Sequence, residues 1–147
     1  SNAAEDLCGA FGAALSAGGR TVRKDITDGV YISGDEQIIR RAISAVLENA
    51  AKYAESKTEI TLKQNKKCAC LTVVNDAQGV KTGDLSKCFE RFYRSDEARA
   101  SGKTGSGIGL SIAKTIIDRA GGEITATGLS GGIFKIEIKL KAAKNNI

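Results

Sequence analysis

A glycine-rich stretch, Gly105-Ser106-Gly107-Ile108-Gly109-Leu110, has residue types and a spacing that suit the binding of an anion. It runs directly into an amphipathic helix predicted from Ser111 to about Ala120. Glycine allows a backbone to approach a ligand closely, and the first turn of a helix presents unpaired N–H donors with a partial positive charge. This combination predicts an anion site, most often for a phosphate. Because a plain loop can have the same pattern, the neighbouring elements must decide between the two.

A second candidate group lies on the longest predicted helix, Asp35 to about Glu55. Its apolar stripe is formed by Ile39, Ala42, Ile43, Val46, Leu47 and Ala50. At about 100° per residue, Asn49, Lys52 and Tyr53 follow one polar edge beside that stripe. An amide, an amine and a phenol could hold Mg²⁺ and phosphate oxygens there, whereas an asparagine alone would more often be a solvated helix residue. Glu48 points away from the stripe and is not assigned as a catalytic base.

A third candidate is the polar, turn-like segment Asn75 to Val80, which contains Gly79. It follows an almost wholly apolar run, Cys68 to Val74, that is typical of a central strand. Ligands tend to bind at strand ends in open sheets. The segment is therefore expected to contribute to the same site as the glycine-rich stretch.

The connection from Lys81 to Thr104 shows little periodicity. Basic residues are spread along it, at Lys81, Lys87, Arg91, Arg94, Arg99 and Lys103, around the aromatic segment Phe89 to Tyr93. A connection of this length is usually functional or without structure of its own. Because it is basic and leads into the phosphate turn, it is interpreted as a lid; a solvated surface loop is the alternative.

The composition restricts the classes of function. The chain has 147 residues, which suggests one domain, and it contains no histidine, so no step can use imidazole. A net charge of +5 permits an anionic partner. The basic residues are dispersed and aromatic residues make up only 5%, so a nucleic-acid partner is not expected. The four cysteines are expected to be reduced packing residues, with a disulfide or a metal site as alternatives.

The element pattern predicts an α/β two-layer sandwich with helices on one face of a mixed sheet. Three helices are predicted, at about 6–17, 35–55 and 111–120. Six strands are predicted, at 21–27, 30–33, 58–64, 68–74, 123–127 and 133–140. No signal peptide or membrane span is evident in the sequence.

From about Leu7 to Leu140 the sequence resembles the ATP-binding catalytic (HATPase) domain of bacterial sensor histidine kinases, in the superfamily shared with DNA gyrase, Hsp90 and MutL. The resemblance rests on four blocks in the family's order. They are the asparagine box at Leu47 to Tyr53, the first glycine box at Asn75 to Val80, the phenylalanine box at Phe89 to Arg94 and the second glycine box at Gly105 to Leu110. The phenylalanine box favours histidine kinases over the other branches.

The resemblance implies ATP and Mg²⁺ as cofactors and a Bergerat-type fold, with a mostly antiparallel sheet and a long ATP lid. Asn49 would bind Mg²⁺, and Asn49 and Lys52 would be the catalytic residues. Phe89 and Phe92 would anchor the lid. The residues implied in nucleotide binding are Asn49, Lys52, Tyr53, Asn75, Gly79, Val80, Phe92, Gly105, Ser106, Gly107, Ile108, Gly109 and Leu110.

Four positions depart from the family pattern. Asn75 stands where the family usually has an aspartate that accepts a hydrogen bond from the adenine amino group, and Asp76 is no simple substitute because adjacent strand residues face opposite sides. Ala77 replaces the first glycine of its box, Ala45 replaces the first asparagine of the asparagine box, and Gly131-Gly132 stands where the family often has Gly-Thr. These departures concern adenine recognition more than phosphate binding.

The function implied is that of a two-component protein-histidine kinase, which donates the γ-phosphate of Mg-ATP to a histidine. That histidine would lie on a dimerisation domain absent from this chain, so the domain alone is not expected to autophosphorylate. The implied partners are this phosphoacceptor domain, a response regulator and, in the intact protein, a second copy. The implied location is the cytoplasmic side of a bacterial inner or plasma membrane sensor.

Three other functions remain open at this stage. A degenerate nucleotide-binding or docking module without kinase activity would fit the departures at Asn75, Ala77 and Ala45. An anti-sigma-factor serine kinase would share the superfamily, and a basic nucleic-acid binder would show steep salt dependence. In domain terms, residues 1–3 have the sequence of a cloning scar, 4–141 form the ATP-binding domain and 142–147 form a polar tail.

Overall fold

The computed structural model shows a helical layer packed on one face of a sheet, and it confirms the predicted two-layer α/β class. The residues that the structure describes are 21–26, 36–53, 56–64, 68–77, 79–90 and 109–141. The two α-helices among them are α1 (Glu36–Tyr53) and α2 (Gly109–Arg119), and a short 3₁₀ turn spans Ser86–Phe89. The strands are β1 (Thr21–Ile26), β2 (Lys57–Gln64), β3 (Cys68–Asp76), β4 (Gly83–Asp84), β5 (Glu123–Leu129) and β6 (Ile133–Lys141).

The described strands form one mixed sheet in the order β1-β2-β3-β6-β5-β4. Strand β1 pairs with β2 in parallel, and every other neighbouring pair is antiparallel. The hairpin between β5 and β6 turns through Ser130-Gly131-Gly132. The sheet is therefore mostly antiparallel, with β3 and β6 at its centre.

Strict alternation divides the sheet into a covered face and an open face. Along β3, every second residue from Ala69 to Asn75 is buried, and the residues between them are half-buried. Helix α1 packs against β3 and α2, while α2 packs against β5. Each large aliphatic side chain removed from water in this way contributes roughly 1.5–3 kcal/mol. The core between the layers is formed mainly by Ile39, Ile43, Val46, Leu47, Ile60, Leu62, Leu71, Val73, Ile117, Ile124, Ile136, Ile138 and Leu140.

Two predicted boundaries are wrong, both near the candidate site. Strand β3 continues through Asn75 and Asp76, which the turn-type residues had suggested lie beyond the strand. Asn75 pairs with Thr58 of β2 and Phe134 of β6, so the neighbouring strands on both sides hold it extended. Pairing in the sheet outweighs the local preference of these two residues for a turn.

The start of the predicted lid also belongs to the folded body. Strand β4 (Gly83–Asp84) pairs with β5, and the amide of Leu85 donates to the carbonyl of Ala126 at 3.0 Å. The 3₁₀ turn follows, and it buries Phe89 in the core. A free connection can therefore begin only after this turn.

Other predicted features lie outside the described residues. These are the helix at 6–17, the strand at 30–33, and the later part of the lid with Phe92 and the glycines before Gly109. Within the described part of the chain, no helix is both long and apolar enough to cross a membrane.

Candidate functional site

Helix α1 places Asn49 at the border between its buried stripe and solvent. Leu47 and Ala50 on either side of it are buried, whereas Glu48 is exposed and Asn49 itself is half-buried. Lys52 and Tyr53 lie in the last turn of the same helix. The amide of Asn49 can therefore reach a ligand from a backbone position that the packing of α1 fixes.

Asn75 is buried at the end of β3, with only 2% of its surface exposed. Its side-chain Nδ2 donates a hydrogen bond to the carbonyl oxygen of the next residue, Asp76, at 3.1 Å. This contact fixes the orientation of the amide and leaves Oδ1 as the acceptor. Asn75 can thus accept a hydrogen bond from an amino group on the covered face of the sheet.

The side chain of Asp76, unlike that of Asn75, makes hydrogen bonds that hold two strands together. Its carboxylate accepts hydrogen bonds from the backbone amides of Ser56, at 2.9 Å, and Lys57, at 3.0 Å, and also from the Ser56 hydroxyl. These bonds hold the start of β2 against the end of β3. Asp76 therefore cannot replace the aspartate that the family usually has at position 75, which agrees with the expectation from strand alternation.

Two of the positions that depart from the family pattern meet in the turn after β3. The amide of Ala77 donates to the carbonyl of Gly132 at 2.8 Å, which extends the pairing of β3 with β6 by one residue. Gly132 has a φ of +74°, a left-handed conformation in which a threonine would be strained. Gly79 is exposed and Val80 is half-buried in the segment that follows. The Gly-Gly pair thus belongs to a turn shape that the family's threonine would not readily adopt.

Gly109 is the first residue of α2, and Leu110 packs against the core. A Cβ added to Gly109 would meet no atom within 4 Å, and its φ lies outside the left-handed region. Neither the packing of the described residues nor the backbone conformation therefore demands a glycine at this position. The first turn of α2 therefore begins at a residue with open space beside it.

A groove of about 460 Å³ runs between α1 and the start of α2. Its lining consists of Gln37, Arg40, Arg41, Ser44, Ala45, Glu48, Gly109 and Ile112. Of the predicted site residues, the groove contains Gly109; Asn49 lies one turn beyond Ala45 on α1, and Asn75 lies on β3. The structure thus places the start of α2 beside α1, and it places Asn75 on the sheet beneath the helices.

The two arginines and Glu48 in this groove were not predicted as site residues. The helical wheel places Glu48 roughly opposite the apolar stripe, where a solvated or partner-facing side chain is expected. The spacing of Arg41, Ala45 and Glu48, at i, i+4 and i+7, shows that they share a face. Only the position of α2 reveals that this face borders a second element.

The folded start of the predicted lid carries no reactive thiol. Burial, and to a smaller extent the nearby Asp84, raises the pKa of Cys88 from 9.0 to about 12. Cys88, Cys68 and Cys70 are all free thiols, and the burial of Cys70 also raises its pKa. Cys70 and Cys88 are therefore protonated near neutral pH, as expected for packing residues.

No group of three or more acidic, cysteine or histidine side chains that could hold a metal occurs within the described ranges. A magnesium ion bound with a nucleotide needs few protein ligands, because phosphate oxygens and water complete its shell. The amide oxygen of Asn49 is an oxygen donor of the kind this ion takes. The donor set therefore fits a nucleotide-borne ion better than a protein-enclosed one.

Comparison with known proteins identifies the family. The sequence profile described as "Histidine kinase-, DNA gyrase B-, and HSP90-like ATPase" matches residues 34–144. The chain is 31% identical over 134 residues to the signal transduction histidine-protein kinase BaeS of Escherichia coli K12, covering 90% of this chain and 29% of BaeS. It is 35% identical over 104 residues to the sensor histidine kinase YkoH of Bacillus subtilis, covering 71% of this chain and 23% of YkoH. The chain therefore spans less than a third of the length of these relatives.

Solved structures share the fold at lower identity. A mycobacterial sensor histidine kinase, MprB, superposes with a TM-score of 0.79 at 23% identity, covering 98% of this chain and 95% of that one. Full-length ShkA in complex with AMPPNP gives a TM-score of 0.81 at 18% identity, covering 99% of this chain and 30% of ShkA. Together with the profile match, these likenesses establish that the chain belongs to the histidine kinase-, DNA gyrase B- and HSP90-like ATPase family, as an ATP-binding domain of the sensor histidine kinase type.

Proposed function

We propose that this chain is the catalytic domain of a two-component protein-histidine kinase, which binds Mg-ATP and donates the γ-phosphoryl group to a histidine of another domain. The observation that carries the proposal is the placement of Asn75. A buried amide with its acceptor oxygen fixed by a hydrogen bond lies on the sheet beneath α1, in a chain of this family. Residues 4–141 would form this domain, between a cloning scar at 1–3 and a polar tail at 142–147.

At the base end, the Oδ1 of Asn75 accepts a hydrogen bond from the exocyclic amino group of adenine. An amide oxygen accepts such a bond as an aspartate does, although it carries no charge. Gly79 and Val80, in the segment after β3, pass beside the base. Asn75 would thus take the role of the aspartate that the family usually has at this position.

At the phosphate end, the first turn of α2 provides N–H donors and a partial positive charge for the phosphate oxygens. Gly109 leaves the space that a close approach needs, and Gly105, Ser106, Gly107, Ile108 and Leu110 complete this turn in the proposal. Lys52 and Tyr53 contact phosphate oxygens from α1, and Phe92 anchors the lid over the nucleotide.

Asn49 would hold the magnesium ion. The ion would neutralise the charge that develops on the phosphate oxygens. The residues of this chain position the nucleotide, and Lys52 adds a positive charge near the transferred group. Phosphoryl transfer depends largely on such positioning and electrostatic stabilisation. Lid closure would exclude water from the reaction.

The acceptor of the phosphoryl group must come from elsewhere, because the chain contains no histidine. A dimerisation domain of the same protein would present it, in a homodimer, and would pass the group to a response regulator. The named relatives are sensor kinases several times longer than this chain. The intact protein is accordingly proposed to be a membrane sensor with this domain on the cytoplasmic side.

Calorimetric titration of the chain with AMPPNP tests the nucleotide-binding part of this proposal. We expect micromolar to sub-millimolar affinity, about −5 to −8 kcal/mol, that depends on Mg²⁺ and falls at least tenfold in Asn49→Ala. The loss follows because the only protein ligand proposed for the ion would be removed. Glu59→Gln, at an exposed position on the open face of β2, is the control and should bind as the unmodified chain does.

If the folded chain failed to bind at millimolar nucleotide, the active-kinase proposal would be wrong. A docking module without kinase activity, which the departures at Ala45 and Ala77 would suit, would then be the better explanation. Binding without any Mg²⁺ dependence would contradict the role given to Asn49.

A further inference from the structure

Thr58 carries a buried hydroxyl that the protein does not satisfy. Only 2% of the residue is exposed, and its Oγ1 has no hydrogen-bond partner. It is the only buried side-chain oxygen or nitrogen in this condition among the residues that the structure describes. Leaving a buried hydroxyl unpaired is costly, and such groups in native proteins usually have a partner that is a protein group, a water or a ligand.

The position of Thr58 points to a ligand as that partner. Thr58 on β2 is directly opposite Asn75 on β3, and both side chains are buried on the covered face of the sheet. Directly opposed residues in an antiparallel pair have Cβ atoms about 4.5–5.5 Å apart. The unpaired hydroxyl therefore lies beside the amide proposed to read the base.

The two side chains offer complementary hydrogen-bonding groups. The Nδ2 of Asn75 donates to the Asp76 carbonyl, so Oδ1 remains as the acceptor of this side chain. The hydroxyl of Thr58 can donate as well as accept. An acceptor next to a donor matches one edge of adenine, where the exocyclic amino group donates and the adjacent ring nitrogen accepts. Guanine presents the reverse order, a carbonyl oxygen beside a protonated ring nitrogen.

We propose that Thr58 is a second base-recognition residue, and that its hydroxyl, directly or through one water, donates to the adenine ring nitrogen beside the amino group read by Asn75. This inference rests on the proposed function, since it requires an adenine nucleotide on the covered face of the sheet. Thr58 and Asn75 together then set the preference for adenine over guanine nucleotides.

Thr58→Val tests the role, because valine has nearly the same shape without the hydroxyl. We expect the dissociation constant for ADP, measured by calorimetry, to rise about tenfold, which corresponds to the loss of one buried hydrogen bond. The affinity ratio of ADP to GDP should fall by a similar factor. Thr58→Ser, which keeps the hydroxyl, should retain the ADP affinity within about twofold.

The thermal midpoint of the nucleotide-free protein separates recognition from structure. Removing a buried hydroxyl that has no protein partner should leave the Tm of Thr58→Val unchanged or raise it by a few degrees. Thr61→Val, on the opposite face of the same strand, is the matched control and should change neither the ADP affinity nor the nucleotide preference.

Failure of this inference is distinct from failure of the proposed function. If the unmodified chain binds ADP and Thr58→Val binds it equally well, Thr58 is not a recognition residue although the domain is. A lower Tm with unchanged affinity would show a purely structural hydroxyl. If the unmodified chain binds no adenine nucleotide, the proposed function and this inference are both wrong.

Discussion

Two adjacent residues at the end of β3 differ in role, with ligand recognition proposed for Asn75 and a structural role observed for Asp76. Asn75 faces the covered side of the sheet and keeps an acceptor oxygen available there, whereas the carboxylate of Asp76 is bonded to Ser56 and Lys57 at the start of β2. Because successive strand residues face opposite sides, exchanging the two side chains would remove both functions. The strand thus keeps a neutral side chain where the family usually has a charged one.

Gly109 provides a test at the level of a single residue. Alanine at this helical position should not lower the Tm and could raise the free energy of unfolding by up to about 1 kcal/mol, since the added Cβ meets nothing. The same Cβ would intrude on the proposed phosphate approach, so the affinity of Gly109→Ala for AMPPNP should fall at least tenfold. Calorimetry and thermal melting measure the two effects.

Arg119→Ala, in the last turn of the same helix, is the control for this substitution and should leave AMPPNP affinity unaltered. Unchanged affinity in Gly109→Ala, with the protein folded, would show that the phosphate turn does not use this position.

Among the elements, the short strand β4 anchors the region that precedes the proposed lid. Gly128 of β5 pairs with Gly83, and it lies so close to the preceding segment that a Cβ would come within 1.8 Å of the Lys81 carbonyl oxygen. The backbone itself forms this contact, so no side-chain rotation can relieve an added methyl group. The close approach therefore holds the segment before β4 against β5.

Gly128→Ala should therefore cost about 3 kcal/mol or more of the free energy of unfolding, measured by urea denaturation. Gly131→Ala is the matched comparison, because a Cβ there meets open space and only the left-handed backbone, with φ +85°, is strained. It should cost about 1–2 kcal/mol. Equal losses in the two variants would contradict a steric origin for the requirement at Gly128.

At the scale of the whole molecule, the sequence predicts the layers well because long amphipathic elements carry strong periodicity. The α1 stripe and the alternation in β6 are seen in the structure where the pattern places them. The extension of β3 through Asn75 was missed because it depends on pairing with Thr58 and Phe134 on other strands. Strand β4, with two residues, is too short to show a period.

Some residues of the candidate site could be predicted from the sequence, and others could be found only in the structure. The resemblance supplied Asn49, Asn75 and Gly109, since each lies in a recognisable block. Alternation could predict that Thr58 is buried, but not that its hydroxyl lacks a protein partner, because that property depends on every neighbouring atom. The place of Arg41 in the groove likewise could not be predicted, because it depends on the position of α2.

The central claim is that this domain supplies a phosphoryl group to a histidine it does not itself contain. The most direct measurement is to incubate the chain with ATP labelled at the γ-phosphate, together with the dimerisation domain of its own full-length protein, and to analyse the label on each. The account predicts label on the dimerisation domain only, labile to acid and stable to base, as phosphohistidine is. No transfer despite nucleotide binding, or acid-stable label typical of phosphoserine, would contradict it.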